Sequence, residues 1–142
     1  MGNRLIGSVG LSVAGGTPSP YTRTTSFVIA CGAEDEALTT GTKVTFRLPY
    51  AYTITEVRAS LTTPGTGANL VTVMFEQNGT DILSTAITID AGELTSTTAS
   101  AQPVILTSAL TDDASIDCDV DQIDSGGASK GLKMYLIGYK TL

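Results

Sequence analysis

Hydrophobic and polar residues alternate over short stretches of the chain, and this pattern predicts β-strands. In KVTFRL, for example, Val44, Phe46 and Leu48 share one side and polar residues lie between them. Side chains of a strand point alternately to its two faces, so one face of such a stretch is buried and the other is wet. Residues 69–76 are apolar on both sides, which predicts a central strand.

The same reasoning predicts about eight strands separated by turn residues. They are Thr25–Ala30, Lys43–Leu48, Glu56–Leu61, Asn69–Glu76, Asp81–Ile89, Pro103–Leu106, Ser115–Val120 and Gly131–Tyr139. Asn78 and Gly79 favour a hairpin turn, because both tolerate positive φ. At most one short helical turn is expected, near residues 33–40. The predicted fold is all-β: a single antiparallel β-sandwich, jelly-roll-like.

The N-terminal residues differ from the rest of the chain. Gly15–Pro20 (GGTPSP) is typical of a linker, because its glycines and prolines sustain neither a helix nor a strand ladder. We predict an extended N-terminal arm and linker over residues 1–24 and a sandwich domain over residues 25–142; a terminus without order is the alternative. The candidate anchoring residues of the arm on a neighbouring subunit are Leu5, Ile6, Val9 and Leu11.

Composition narrows the possible functions. The chain has 142 residues, enough for one domain with its own core, and a net charge of -6. An acidic protein without a basic cluster is not expected to bind nucleic acid or an anionic membrane surface. The chain has no histidine, which removes the Ser-His-Asp triad, the Cys-His pair and the common zinc sites. We therefore predict a protein that is not an enzyme and has no cofactor.

The stretch ASIDCDVDQID places aspartates on alternate positions. Their spacing predicts a wet strand face, with Ile116, Cys118 and Val120 pointing into the core. Calcium needs six to eight converging oxygens and a glycosidase needs two acids, so an ion site and a catalytic carboxylate pair are the alternatives. The weak calcium candidates are Asp117, Asp119, Asp121 and Asp124. The cations expected to relieve repulsion on this face are Lys43, Arg47, Arg58 and Lys133.

Two cysteines and two tyrosines complete the candidates. Cys31 and Cys118 lie in apolar strands and are predicted to be buried free thiols, with a disulfide as the alternative. Tyr50 and Tyr52 follow a proline next to a turn and are candidate subunit contacts. Packing over one end of the sandwich is the alternative for both rings.

Four stretches in this order carry a resemblance: TTGTKVTFRLPYAYTITEVRASLTT, DILSTAITIDAGELTSTT, DDASIDCDVDQI and GLKMYLIG. With them, residues 26–140 resemble a group of small virion structural proteins of tailed bacteriophages. The resemblance implies a β-sandwich module associated either with the capsid or with the tail or fibre. It carries strand patterns and turn residues but no binding motif.

The leading interpretation is a capsid decoration (cement) protein that is not an enzyme. It would assemble as a small ring, with a trimer favoured, and clamp neighbouring capsid subunits. Its expected partners are the major capsid protein or another virion protein, and its expected location is the virion, assembled in the bacterial host cytoplasm. The alternative is a receptor- or carbohydrate-binding module of a tail or fibre, with Tyr21, Tyr50 or Tyr52 at the site. A connector in the neck or tail tube is a third possibility.

Overall fold

The computed structural model describes residues 23–142, and its regular structure is almost entirely β-strand. One 3₁₀ turn, Ser96–Thr98, is the helical element of these residues; residues 33–40 form bends, not the predicted helical turn. The strands are β1 (Thr25–Ala30), β2 (Gly41–Arg47), β3 (Tyr52–Ser60), β4 (Val71–Gln77), β5 (Thr80–Asp81), β6 (Leu83–Thr85), β7 (Ile87–Ile89), β8 (Val104–Ile105), β9 (Ala109–Leu110), β10 (Ser115–Gln122) and β11 (Lys133–Lys140). Within this part of the chain, no helix has the length and apolarity needed to cross a membrane.

Two antiparallel sheets contain most of the strands. Sheet A has the order β1-β11-β3-β9, and sheet B has the order β2-β10-β4-β5, with β7 also pairing with β4. A small third sheet consists of β6 and β8. Strand β1 therefore lies beside β11, and β2 lies beside β10. The consecutive strands β1 and β2 belong to different sheets.

Alternate burial holds the two sheets together, as the sequence predicts. On β10, Ile116 and Cys118 are fully buried and Val120 is 2% exposed. Across from them, Val57 of β3 and Leu136 of β11 belong to the same core cluster. Burying one such side chain contributes roughly 1.5–3 kcal/mol, so a face of them stabilises the contact between sheets. The predicted all-β antiparallel sandwich is confirmed.

Strand β3 begins at Tyr52, earlier than the predicted start at Glu56. Tyr52 and Ile54 face the core, and so does Val57, three positions after Ile54. The pairing with β11 skips Thr55, which is a β-bulge that shifts the alternation by one residue. Because of this bulge, residues 52–60 do not follow one uninterrupted period-two pattern, so the pattern predicted only the part of β3 that begins at Glu56.

The predicted strand Asp81–Ile89 is divided into β5, β6 and β7. Ile82 and Leu83 are consecutive residues, yet both are buried, which a straight strand does not allow. The chain bends at Ile82, and β6 leaves sheet B to pair with β8. The turn before it is as predicted, since Asn78 and Gly79 have φ values of 51° and 84° between β4 and β5.

Candidate functional site

The acidic stretch occupies β10, in the interior of sheet B between β2 and β4. Ile116, Cys118 and Val120 point into the core, and the aspartates point away from it, as predicted. Asp117 accepts a hydrogen bond of 2.6 Å from the Thr45 hydroxyl on β2. A wet face with polar neighbours is therefore the arrangement that the structure contains.

The predicted cation partners of these aspartates pair elsewhere, which corrects that prediction. In residues 23–142, the ion pairs join Arg47 to Asp113, Arg58 to Glu56 and Lys133 to Glu34. Lys43 instead donates hydrogen bonds to Thr39 and Thr40. For Arg58 and Lys133 the physical reason is placement, because β3 and β11 belong to sheet A and β10 belongs to sheet B. Arg47 lies on β2 beside β10 but opposite Ser115, at the end of the strand near Asp113.

An acid, not a cation, lies beside Asp119. Glu76 on β4 pairs in register with Asp117 and hydrogen-bonds Asp119 through its side chain. That hydrogen bond, burial and the charge of Asp119 raise the pKa of Glu76 to about 7. The buried Oδ1 of Asp119 has no hydrogen-bond partner among the described residues. A protonated Glu76 can donate a hydrogen bond to Asp119, which is the physical reason that the pKa of Glu76 is raised.

Asp124 has a structural position that the sequence pattern does not indicate. It is 2% exposed, and its carboxylate accepts hydrogen bonds from the backbone of Thr66, Ala128 and Ser129 and from the Ser129 hydroxyl. Burial alone raises its pKa, but these donors outweigh burial and lower the pKa of Asp124 to about 2. A Cβ on Gly65 would lie 2.6 Å from the Asp124 Cβ, so glycine lets the loop close over the carboxylate.

No metal centre forms from the calcium candidates. Among the described residues, no group of three or more His, Cys, Asp or Glu side chains is arranged to hold a metal ion. The oxygens of Asp124 are already taken by donors from its own loops, and Asp117 and Asp119 lie along a strand that spreads them apart. The acidic stretch therefore offers no arrangement on which to propose calcium binding.

The two candidate tyrosines pack at one end of the sandwich. Tyr52 is fully buried, and its hydroxyl donates to the Thr25 carbonyl oxygen at 2.7 Å. Tyr50 is partly buried against Phe27, and the Lys140 ammonium lies 5.2 Å from its ring centroid. Tyr52 therefore has no surface for a subunit or a sugar in this chain, and its role is to hold the first residue of β1. The candidates Leu5, Ile6, Val9, Leu11 and Tyr21 lie outside the described residues.

The outer face of sheet A exposes one large apolar side chain, Val28, beside the partly buried Tyr135 and Ile137, and the sequence pattern did not single out this surface. Val28 of β1 is 57% exposed, and it pairs with Tyr135 of β11, which pairs in turn with Arg58 of β3. These three paired residues and the neighbouring paired set Ser26, Ile137 and Glu56 form the sheet A patch. Its six residues are Ser26, Val28, Glu56, Arg58, Tyr135 and Ile137.

Two shallow grooves adjoin the sheet A patch. One, of about 220 Å³, lies against Arg58, Tyr135 and Ile137. The other, of about 350 Å³, lies between Glu56 and the β8 segment, where Val104 is 51% exposed. A surface with exposed apolar side chains, grooves and a polar rim is typical of a protein–protein contact.

Strand β1 is also an edge of sheet A. Its inner edge pairs with β11, and no strand of the described residues pairs with its outer edge. An unpaired edge presents backbone donors and acceptors to which another chain can add a strand. A sequence signal for this surface does exist: TSFVIA and KMYLIGY are apolar on both faces, although the first is an edge strand.

Comparison of the chain with protein-family models, with curated proteins and with solved structures gave no match. The resemblance to phage virion proteins therefore stays a prediction from strand and turn patterns. The functional argument depends on the geometry of the chain itself.

Proposed function

We propose that this chain is a virion structural protein of a tailed bacteriophage, a capsid decoration protein that is not an enzyme. It docks in many copies on the major capsid protein or another virion protein. The observation that carries the proposal is the sheet A patch beside the free edge of β1. The exposed Val28 and the partly buried Tyr135 and Ile137, next to an unpaired strand edge, form a surface suited to repeated docking in a symmetric shell.

The N-terminal arm belongs to the same surface in this proposal. Residues 1–22 precede β1 by two residues, so the apolar positions Leu5, Ile6, Val9 and Leu11 join the sandwich at its exposed edge. Tyr52 fixes that junction through the hydrogen bond to Thr25. Arm and patch then act together, with the arm reaching a neighbouring subunit and the patch resting on the shell.

The strand order supports a jelly roll as the finer description of the fold. A jelly roll is a double-sheet sandwich of eight strands built from two Greek keys. The chain pairs its first strand with its last and its second with its last but one, which is the nested order that such a winding produces. On this description, β5 to β7 occupy the place of one long strand.

A trimer is the expected assembly, and light scattering of the purified protein measures it.

Deletion of residues 1–24 tests the proposal. The truncated protein should keep the far-UV spectrum of a β-protein, because the sheets and their core lie within residues 25–142. It should lose binding to phage particles assembled without the chain, measured by co-sedimentation. If the truncated protein coats the particles as the full chain does, the arm has no clamping role.

A charge on the patch separates its contribution from that of the arm. Val28→Asp in the full chain should weaken co-sedimentation at least tenfold, because burying an unpaired carboxylate in a contact is costly. Val28 is exposed, so the variant should fold normally. Ala91→Asp, at an exposed turn after β7, is the matched control and should bind as the unchanged chain does. Equal binding of both variants would remove the patch from the contact.

A further inference from the structure

The two cysteines meet in the core between the sheets. Cys31 follows the edge strand β1 of sheet A, and Cys118 lies on β10 in the interior of sheet B. Both are free and buried, as predicted, with exposed fractions of 4% and 0%. The Cys31 thiol donates to the Ile29 carbonyl oxygen at 3.3 Å, and the two sulfurs are near enough for each to shift the pKa of the other. Two buried thiols, one beside each sheet, therefore lie close together in the core.

A surface crevice reaches one of the two thiols. Cys31 lines a crevice of about 210 Å³ together with Leu38, Thr39 and Lys43. A space of that size admits a molecule as small as hydrogen peroxide. Cys118 does not line this crevice and is fully buried. The arrangement therefore has one accessible sulfur and one sulfur behind it.

The pKa values of the two thiols are shifted in opposite directions. The hydrogen bond from Cys118 lowers the pKa of the Cys31 thiol, because it stabilises the Cys31 thiolate. The same interaction, together with burial, raises the pKa of the Cys118 thiol. The thiolate is the reactive form of cysteine, and Cys31 is also the cysteine that lines the crevice, so Cys31 is the sulfur that a peroxide meets first.

We propose that Cys31 and Cys118 form a redox site that a peroxide converts into a disulfide joining sheet A to sheet B. In the first step, the Cys31 thiolate attacks one peroxide oxygen, the S–O bond forms, the O–O bond breaks and the released hydroxide is protonated to water. In the second step, the Cys118 sulfur attacks the Cys31 sulfenic acid, the S–S bond forms, the S–O bond breaks and hydroxide leaves with the Cys118 proton as water. Each thiol gives up one hydrogen, and the peroxide is reduced to two waters.

The disulfide has a mechanical consequence for the edge strand. A bond between facing strands of two sheets is the arrangement found in antibody domains, so a sandwich accommodates it. Here it would join the end of β1 to the interior of sheet B and close a long loop, which disfavours the unfolded chain. The chain would fold with reduced thiols in a reducing cytoplasm and gain the cross-link in an oxidising medium. The inference does not depend on the proposed virion role.

Controlled oxidation of the full chain tests the inference. The reduced protein is treated with hydrogen peroxide, remaining thiols are alkylated after unfolding, and peptides are mapped without reduction. We expect both thiols to disappear together, one peptide pair containing Cys31 and Cys118 in the monomer, and a Tm several degrees higher that dithiothreitol reverses. Thiols that stay reduced in the folded protein under conditions that oxidise the unfolded chain would overturn the proposal. Cross-links only between chains would overturn it too.

Single-cysteine variants provide the matched controls. Cys118→Ala and Cys31→Ala each remove one partner, so peroxide should produce no intramolecular cross-link and no rise in Tm in either. Each variant is compared with its own reduced form, because replacing a core cysteine changes the starting Tm. A peroxide-induced rise in Tm that persists in Cys118→Ala would show that stabilisation has another origin.

Discussion

The aspartates of this chain show how position decides what a carboxylate does. Asp117 lies on the outer face of a strand and accepts one hydrogen bond from Thr45, so its carboxylate is also solvated by water. Asp124 is buried, and its carboxylate accepts hydrogen bonds from donors in two loops. A charge that is desolvated but fully hydrogen-bonded stabilises the structure that supplies the donors.

We expect Asp124→Asn to lower the free energy of unfolding by about 2 kcal/mol at pH 7, because the amide group cannot accept from all of these donors. The pKa of Asp124 is lowered from 3.8 to about 2, so the folded state binds the proton more weakly than the unfolded state. The stabilisation is complete above pH 3.8 and is lost as the pH falls towards 2. Urea titrations at several pH values measure this difference.

Asp112→Asn is the control for that series, because Asp112 is exposed near the start of β10. It should leave the free energy of unfolding nearly unchanged at each pH. A difference between Asp124→Asn and the unchanged chain that is constant from pH 7 to pH 2 would mean that the charge is not the stabilising feature.

Sequence reasoning predicted the residues of β10 correctly, and its alternative for Tyr52, packing at one end of the sandwich, is confirmed, but it did not predict the role of Asp124. Ile116, Cys118 and Val120 alternate with polar residues, and side chains of a strand alternate between its two faces, so the local sequence is enough to predict that these three are buried. Asp124 is buried by a loop containing Thr66, far away in the chain, so a local pattern cannot indicate it. Tyr52 stands beside a predicted turn, yet the bulge in β3 returns its ring to the core.

At the scale of the elements, the bulge in β3 depends on a close backbone approach. Gly138 of β11 lies opposite the bulge, and a Cβ there would be 1.9 Å from the Thr53 carbonyl oxygen. The neighbour is backbone, so no side-chain rotation relieves the contact. The bulge and Gly138 together let Tyr52 and Val57 both face the core.

We expect Gly138→Ala to lower the free energy of unfolding by at least about 2 kcal/mol, because the strands must separate to admit the methyl group. Gly79→Ala is the graded control: its Cβ would meet nothing within 4 Å, and its φ of 84° costs only about 1 kcal/mol. Thermal unfolding of both variants measures the two effects. A loss for Gly138→Ala no larger than for Gly79→Ala would show that sheet A adapts to the methyl group.

The positions of most strands were predictable because their alternation is uninterrupted. Strand β10 and the Asn78–Gly79 turn follow from residues adjacent in sequence. The division of Asp81–Ile89 was not predictable, because β6 leaves its sheet to meet β8, which lies further along the chain. Pairing between distant segments overrides local propensity there.

At the scale of the whole molecule, the chain has two opposed surfaces. Sheet B presents Asp117, Asp119 and Glu76, an acidic face that discourages association. Sheet A presents the sheet A patch, with Val28 exposed beside an unpaired edge. This asymmetry suits a protein that lies flat on a shell with one face bound and the other in solvent, which is the proposed role.

The number of copies in purified phage particles tests the proposed role most directly. Under the proposed role, quantitative mass spectrometry of the phage particles gives the ratio of this protein to the major capsid protein. We expect a fixed ratio of the same order as one, since a decoration protein occupies every equivalent position of the shell. Absence from the particles, or only a few copies in each, would contradict the account.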